Sequence, residues 1–530
     1  MLQMRDRLGL ITLWLIVTLY NLFKPYQIDD TAHLIIASWI AAHPLHPMQG
    51  MLNWSGTTEP IFHTNQPHLY FYILAGWGSV FGFSEVAMHA LQSLFAGMCI
   101  LLFYRIARSL AGSQALWLTA MLALNPAFTV EQNLMVDVPL LACWLGFFEP
   151  LLCRIEDTRQ HRRYALAGLA CAAAILVKYS SLLLLPILGG SIILERRWRE
   201  AWSLAIPVAA LVLWSAFNLF DYGGVHLTTA FHSSTATYVP RAHKSVDWLR
   251  KLVKSCIAWG VAVGALTPFG VLALAQFRPR WANGVYALCL GGLIALALAT
   301  ARNILPDHLT DKILWLGFAA SALLLTPLLR PSREPLRVYL LAWFILTSLF
   351  YILFAPFVAA RHVLLILPAI SLLAATRCEI PVRGKVFALL ITSIISAGLC
   401  VSDFRFAQFY KTEAAVLPAA FPAHIKIWAA GHWGWQYYAT QHGMAELDIK
   451  NSNLTPGDVI LVPREADHQL PHGIILRHLA TATGNFSKFD PFCTARPSRF
   501  YLSYTFRGPW SLSAECDQHI DIFEVVQAGK

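Results

Sequence analysis

Apolar runs of about twenty residues, separated by short polar loops, recur from near residue 8 to near residue 403. A helix needs about 20 residues to cross a hydrocarbon core roughly 30 Å thick, so the pattern predicts a bundle of membrane-spanning helices. Beyond residue 404 the pattern changes. Lys426-Ile-Trp-Ala-Ala-Gly alternates as a strand does, and Val459-Ile-Leu-Val is a buried strand behind the Thr455-Pro-Gly-Asp turn. Arg499–Phe506 and His519–Val526 read as further strands. His432-Trp-Gly-Trp-Gln-Tyr-Tyr-Ala-Thr-Gln-His-Gly reads as a loop and short helix ended by Gly443. Two domains are expected: an all-α polytopic membrane domain over 1–403, and a small water-facing α/β domain over 404–530. The tail aromatics Trp433, Trp435, Tyr437 and Tyr438 are better read as core than as a stacking surface for sugar rings.

Charge fixes the topology. Arg5 and Arg7 place the N-terminus in the cytoplasm, because basic loops stay inside. The first run, Leu8 to Phe23, has no small-residue cleavage site behind it and is read as an uncleaved span. Further inside loops are marked by Arg105 and Arg108, by Arg154 to Arg163, and by Arg196 to Arg199. Arg278 and Arg280, Arg330 to Arg337, and Arg377 to Lys385 mark the rest. Parity then requires that one of the stretches 67–83 and 85–104 lies along the surface, and Pro67 and His68 favour 67–83. The bend from Asn125 to Asp137 faces outward, and the run 164–194 folds back at Lys178-Tyr-Ser-Ser. Spans near 201–220, 256–276, 283–300, 312–329, 338–356, 362–377 and 386–403 bring the total to about thirteen and leave the tail outside. Two outer loops are long, 24–66 and 221–255. The second carries Arg241, Lys244, Arg250, Lys251 and Lys254, which suits anionic headgroups or the solvated end of an amphipathic helix equally well.

Composition narrows the class. The chain is 57% hydrophobic and 13% charged, which excludes an ordinary soluble enzyme. Its net charge of +10 sits in topology-setting loops and does not point to nucleic acid. Of ten cysteines, only Cys493 and Cys516 lie in the tail, where an oxidising compartment would let them pair.

Candidate chemistry gathers on the outer face: Asp29, Asp30, Glu59, His63, His68, Glu131, Asp137, Lys178 and Arg361. Ionisable groups at a membrane border are costly and are usually kept for a task. Carboxylates beside two cations suit transfer from a lipid-linked phosphate. Lys178 and Arg361 would hold the phosphate, and one carboxylate would take the proton of an attacking hydroxyl. The competing readings are local: Asp29 and Asp30 as a helix-start pair, Asp137 as a cap, and Lys178 and Arg361 as snorkelling anchors. Glu59, His63 and His68 have the ligand types for a divalent metal, although their spacing matches no strong zinc pattern, and no cofactor is certain. A transporter or flippase would instead carry charges at mid-span and paired halves, which are not found. A surface-polysaccharide ligase or polymerase would share an outer-face site.

The residues together resemble a known family. Asp29-Asp-Thr-Ala-His, Asn65-Gln-Pro-His-Leu-Tyr-Phe-Tyr, Leu134-Met-Val-Asp-Val-Pro-Leu, Val177-Lys-Tyr-Ser-Ser and Arg361-His-Val-Leu-Leu-Ile-Leu-Pro-Ala follow in order. This series is similar to that of bacterial membrane glycosyltransferases of family 39. The group has the GT-C type of fold and includes protein O-mannosyltransferases and lipid A aminoarabinose transferases. The resemblance covers about residues 8–400. It implies about thirteen helices with a periplasmic tail, in the bacterial cytoplasmic membrane. It also implies an undecaprenyl- or related polyprenyl-phosphate sugar donor. Asp29 would be the catalytic base, supported by Asp30 and Asp137. Lipid, glycan and protein acceptors all stay open. Asp30 stands where many relatives have Glu, and Gln66 and His68 break the family's Lys/His-Pro-Pro pattern. Gln66, His68, Glu59, His63 and Glu131 are kept as candidate substrate or metal contacts.

Overall fold

The computed structural model describes residues 4–64, 66–153, 160–236, 245–270, 272, 279–332, 334–355, 357–376, 380–484, 491–494, 500–501, 508–513 and 516–527. Among these, six helical segments are long and apolar enough to cross a membrane: Glu85–Ala123, Trp198–Tyr222, Ala282–Ala301, Asp307–Leu329, Pro335–Phe354 and Val382–Ala420. The chain is a multi-pass, mostly helical membrane protein with a C-terminal domain that contains its main sheet. In the spans Ala282–Ala301 and Trp198–Tyr222 most residues are not buried within the protein, as expected for helices whose outer sides meet lipid.

Helix α1 (Met4–Asn21) leads into a turn and then α2 (Asp30–Ala42). A small hairpin of β1 (Met51–Asn53) and β2 (Thr58–Pro60) follows. Helix α3 (Leu69–Phe81) is 13 residues long. At 1.5 Å per residue it reaches roughly 20 Å, less than a bilayer core of roughly 30 Å. It stops at Gly82, whose φ of 83° few other residues tolerate. Helix α4 (Glu85–Ala111) starts one residue after Ser84, whose Oγ accepts from the Ala87 N–H. It ends at Gly112 (φ 55°), and α5 (Ala115–Ala123) packs back against it. Asn125 then caps the short α6 (Pro126–Thr129), with proline at its first position.

Helices α7 (Asp137–Leu152) and α8 (Gln160–Val177) pack on one another. The chain leaves α8 at Lys178, which is extended, and re-enters helix at α9 (Leu184–Leu194). The interruption therefore falls on the Lys178-Tyr-Ser-Ser segment. Helix α10 (Ala205–Tyr222) is followed by α11 (His226–Ala236) and α12 (Ser245–Leu266).

Three expectations are corrected. The outer loop 221–255 is largely helical, because α12 begins at Ser245 and carries Arg250, Lys251 and Lys254 on its first turns. Arg241 and Lys244 lie outside the described residues. The span expected at 362–377 is two short helices, Ala360–Leu364 and Leu367–Ala375, broken just before Pro368. The boundary expected at 403/404 falls inside one continuous helix, Val382–Val416. Its 35 residues extend roughly 50 Å, well beyond a bilayer core of roughly 30 Å, so it carries the chain out of the membrane-spanning bundle into the C-terminal domain.

That domain holds a five-stranded sheet whose strands lie in the order Ala445–Glu446, Ile427–Ala429, Val459–Pro463, Gln518–Gln527, Ile475–Gly484. β3 (Ile427–Ala429) runs parallel to both β4 (Ala445–Glu446) and β5 (Val459–Pro463). β6 (Ile475–Gly484), a strand the sequence reading missed, and β5 both pair antiparallel with β7 (Gln518–Gln527). The tail helix is Trp433–Gln441, closed by Gly443 at φ 80°. Trp435 and Tyr438 are buried, as the core reading expects. Most of the strand expected at Arg499–Phe506 lies outside the described residues.

Cys493 and Cys516 are joined in a disulfide, 23 residues apart in sequence, while the other described cysteines are free. Neither tail cysteine should react with a thiol reagent before reduction, and reduction should cost about 3 kcal/mol of stability. Peptide-level mass spectrometry would check this, and immediate labelling of either residue would show the bridge absent.

Candidate active site

Asp29 and Asp30 sit at the start of α2, at the end of the turn that follows α1. Asp29 occupies the N-cap position, yet its side chain makes no capping bond. Both carboxylates thus stand at a helix start, where the helix dipole favours negative charge, and the Asp29 side chain is not committed to the cap. Ile28, just before it, has a φ of 52°, a conformation costly for a β-branched residue. Such strain persists only where surrounding contacts over-determine the backbone. Here it presents Asp29 outward, with its side chain 23% exposed, while Asp30 is fully buried.

Asp30 is an anchor. Its Oδ2 accepts the Gln27 N–H at 2.8 Å and its Oδ1 accepts the Leu134 N–H at 2.7 Å. One carboxylate thus ties the turn before α2 to the loop before α7. Burial pushes this loop carboxyl up to about 7, partly opposed by those two N–H donors and by Lys24. His33, one turn later, adds a second tie, its Nδ1 2.6 Å from the Leu134 carbonyl oxygen.

The second loop leads into α7, whose first residue is Asp137, a position where a carboxylate is favoured by the helix dipole. Asp137 is buried between two cations. Lys178 Nζ donates to its Oδ1 at 2.9 Å, and Arg361 Nε lies 3.8 Å from its Oδ2. Arg361 also reaches Asp29, with Nη2 3.8 Å from Oδ2. The order is thus Lys178, Asp137, Arg361, Asp29, alternating in charge. Lys178 is held at the break after α8, and Arg361 at the start of the short helix Ala360–Leu364. Lys178 is 19% exposed and Asp137 only 1%, so the row opens at its Lys178 and Asp29 ends.

Other candidates fall elsewhere. Glu59 and His63 are half-exposed and pair with each other at 3.3 Å. His68 is buried and packs among Phe71, Trp214 and His226, with no hydrogen-bond partner on either ring nitrogen. The three do not form one ligand set, and among the described residues no group of three or more His, Cys, Asp or Glu is placed to hold a metal ion. The Gln66 side-chain oxygen is buried and unpartnered. Glu131 lies in the second loop with both carboxylate oxygens buried and unpartnered, and burial pushes its carboxyl up to about 8.

The sequence reading missed a buried ion pair behind the site. Lys24 Nζ lies 2.5 Å from Asp403 Oδ2 and also donates to the Val130 carbonyl at 3.0 Å. Asn133 in the same loop donates to the Tyr501 hydroxyl at 3.1 Å. A signal was present, since Asp403 is a lone carboxylate at the end of an apolar run and such a residue needs a partner.

Among the curated proteins compared, none matches this sequence. Solved structures similar to the chain include ArnT from Cupriavidus metallidurans bound to undecaprenyl phosphate, at 11% identity and a TM-score of 0.47, covering 99% of this chain and 98% of that one. The Archaeoglobus fulgidus oligosaccharyltransferase in complex with Zn and sulfate is similar at 13% identity and a TM-score of 0.45, over 83% of this chain and 62% of that one. The S. cerevisiae protein O-mannosyltransferase Pmt1-Pmt2 complex bound to the sugar donor is similar at 14% identity and a TM-score of 0.34, over 43% and 35%. The resemblance carried by the motifs is met within the chain: residues 65–220, which hold Asp137 and Lys178, match the family described as dolichyl-phosphate-mannose-protein mannosyltransferase.

Proposed function

We propose that this chain is an inverting glycosyltransferase of the cytoplasmic membrane. It moves a sugar from a polyprenyl-phosphate-linked donor to an acceptor hydroxyl on the outer face, with the N-terminus cytoplasmic and the C-terminal domain outside. The observation that carries this reading is the alternating row Lys178–Asp137–Arg361–Asp29. The match of residues 65–220 to a mannosyltransferase family supports it.

Each group has a task in that reaction. Lys178 spends one N–H donor on Asp137 and has others for the donor phosphate, while Arg361 supplies the second cation. The acceptor oxygen attacks the anomeric carbon as the carbon–oxygen bond to phosphate breaks. The phosphate leaves with the bonding electrons, so it needs no acid, and Asp29 takes the hydroxyl proton. Asp137 keeps the two cations apart and fixed. Asp30 holds the loop, and Glu131 offers two acceptor atoms to a substrate hydroxyl. The charges gather at one face, which is not the arrangement of a transporter.

Mass spectrometry of lipids that copurify in mild detergent tests the donor. A polyprenyl-phosphate sugar enriched on Asp29→Asn over wild type is expected. Bulk phospholipid alone on both, with no transfer from a synthetic donor, would overturn the reading. Lys178→Ala should raise the KM for that donor by about 10- to 100-fold, the worth of a hydrogen bond to a charged group. An unchanged donor KM would remove Lys178 from phosphate binding.

A further inference from the structure

The C-terminal domain sits on the turn that carries Asp29, and the contact is unusually close. The Thr31 hydroxyl donates to the Trp433 carbonyl at 2.6 Å. The Tyr26 N–H donates to the Tyr438 hydroxyl at 2.8 Å, and that hydroxyl donates to Glu85 Oε1 at 2.5 Å. Lys411, on the outward extension of the helix Val382–Val416, donates to both Glu85 oxygens at 2.7 and 2.8 Å. Tyr26 and Tyr437 meet edge to face at 4.9 Å. Gly434 lies so near the turn that an added Cβ would stand 2.1 Å from the Tyr26 carbonyl oxygen.

Backbone strain stands on both sides of this contact. Ile28 has a φ of 52° and Trp433 a φ of 65°, neither being glycine. Each conformation is costly for a residue with a side chain and must be held by its surroundings. The contacts that hold Ile28 come from two directions: Asp30 ties the turn to Leu134 within the membrane domain, and residues 433–438 close it from outside. The same domain reaches the cation side of the site, where the Ala360 N–H donates to the Phe500 carbonyl at 2.9 Å, next to Arg361.

We infer that the segment His432–Tyr438 of the outer domain is a positioning element for Asp29, so that the outer domain completes the catalytic site instead of standing beside it. Thr31, Gly434 and Tyr438 are the positioning residues. They touch the turn and set the direction of the Asp29 carboxylate. This inference rests on the glycosyltransferase reading for its catalytic consequence, though not for its structural one.

The test uses the full chain in detergent, with two independent readouts. Gly434→Ala pushes on the Tyr26 carbonyl, and a displacement of about 1 Å at a reacting group costs about 100-fold in turnover. The expected result is a kcat about 100-fold lower with donor KM unchanged, together with faster deuterium uptake in the peptide spanning 24–34. Thr31→Val removes only the bond to Trp433 and should give the same split to a smaller degree, with Thr31→Ser restoring kcat. This second pair decides the matter should Gly434→Ala fail to fold. Wild-type kcat and wild-type protection of 24–34 in both Gly434→Ala and Thr31→Val would overturn the inference, as would a change in donor KM alone. If the wild-type protein transfers no sugar at all, the function reading has failed. Deuterium uptake in 24–34 then decides the positioning role by itself.

Discussion

Asp29→Asn should abolish sugar transfer while leaving the fold intact. A general base contributes about 10²- to 10⁴-fold, and an amide of the same shape cannot take the proton, so kcat should fall by about that factor. Donor affinity should persist, because Lys178, Asp137 and Arg361 remain in place. Stability should persist too, since the Asp29 side chain makes no capping bond and its one charged contact, with Arg361, is long at 3.8 Å. The neighbour should behave differently. Asp30→Asn puts an NH2 group against one of the two backbone N–H groups that Asp30 now accepts, at Gln27 and Leu134. Stability and turnover should therefore drop together. Side-by-side turnover and thermal unfolding of the two variants separate the roles. An Asp29→Asn enzyme that keeps most of its kcat would remove Asp29 as the base.

The second large effect is expected at Lys24. Lys24→Met leaves the Asp403 carboxylate buried without its ion-pair partner, and breaking such a pair costs about 3–5 kcal/mol. The double variant Lys24→Met with Asp403→Leu should regain most of that loss, because two apolar side chains of similar volume need no compensation. Unfolding in detergent would measure both. A single variant as stable as the wild type would show that the pair holds nothing together.

The membrane domain was legible because apolar runs and basic loops report directly on crossing and side. Asp137, Lys178 and Arg361 were legible for the same reason, as charges stand out among apolar neighbours. Asp403 carried the same signal but was passed over, since it lay where the last span was taken to end and the helix in fact continues to Val416. The burial of His68 was not legible, because nothing in its neighbourhood reveals that Phe71 and Trp214 enclose it. The strain at Ile28 leaves no mark on composition or periodicity. The docking of 433–438 onto 26–31 joins residues about four hundred positions apart, and no local pattern encodes such a contact.

The unbroken helix Val382–Val416 makes the two domains share one angular phase. Each residue of an α-helix turns the chain by about 100° and lifts it 1.5 Å. A single residue added or lost between Asp403 and Lys411 would leave Asp403 facing Lys24 and swing Lys411 a quarter turn or more away from Glu85. The outer domain would rise by little, yet it would face the wrong way. The length of this strut is therefore constrained as a screw thread is, by rotation far more than by reach.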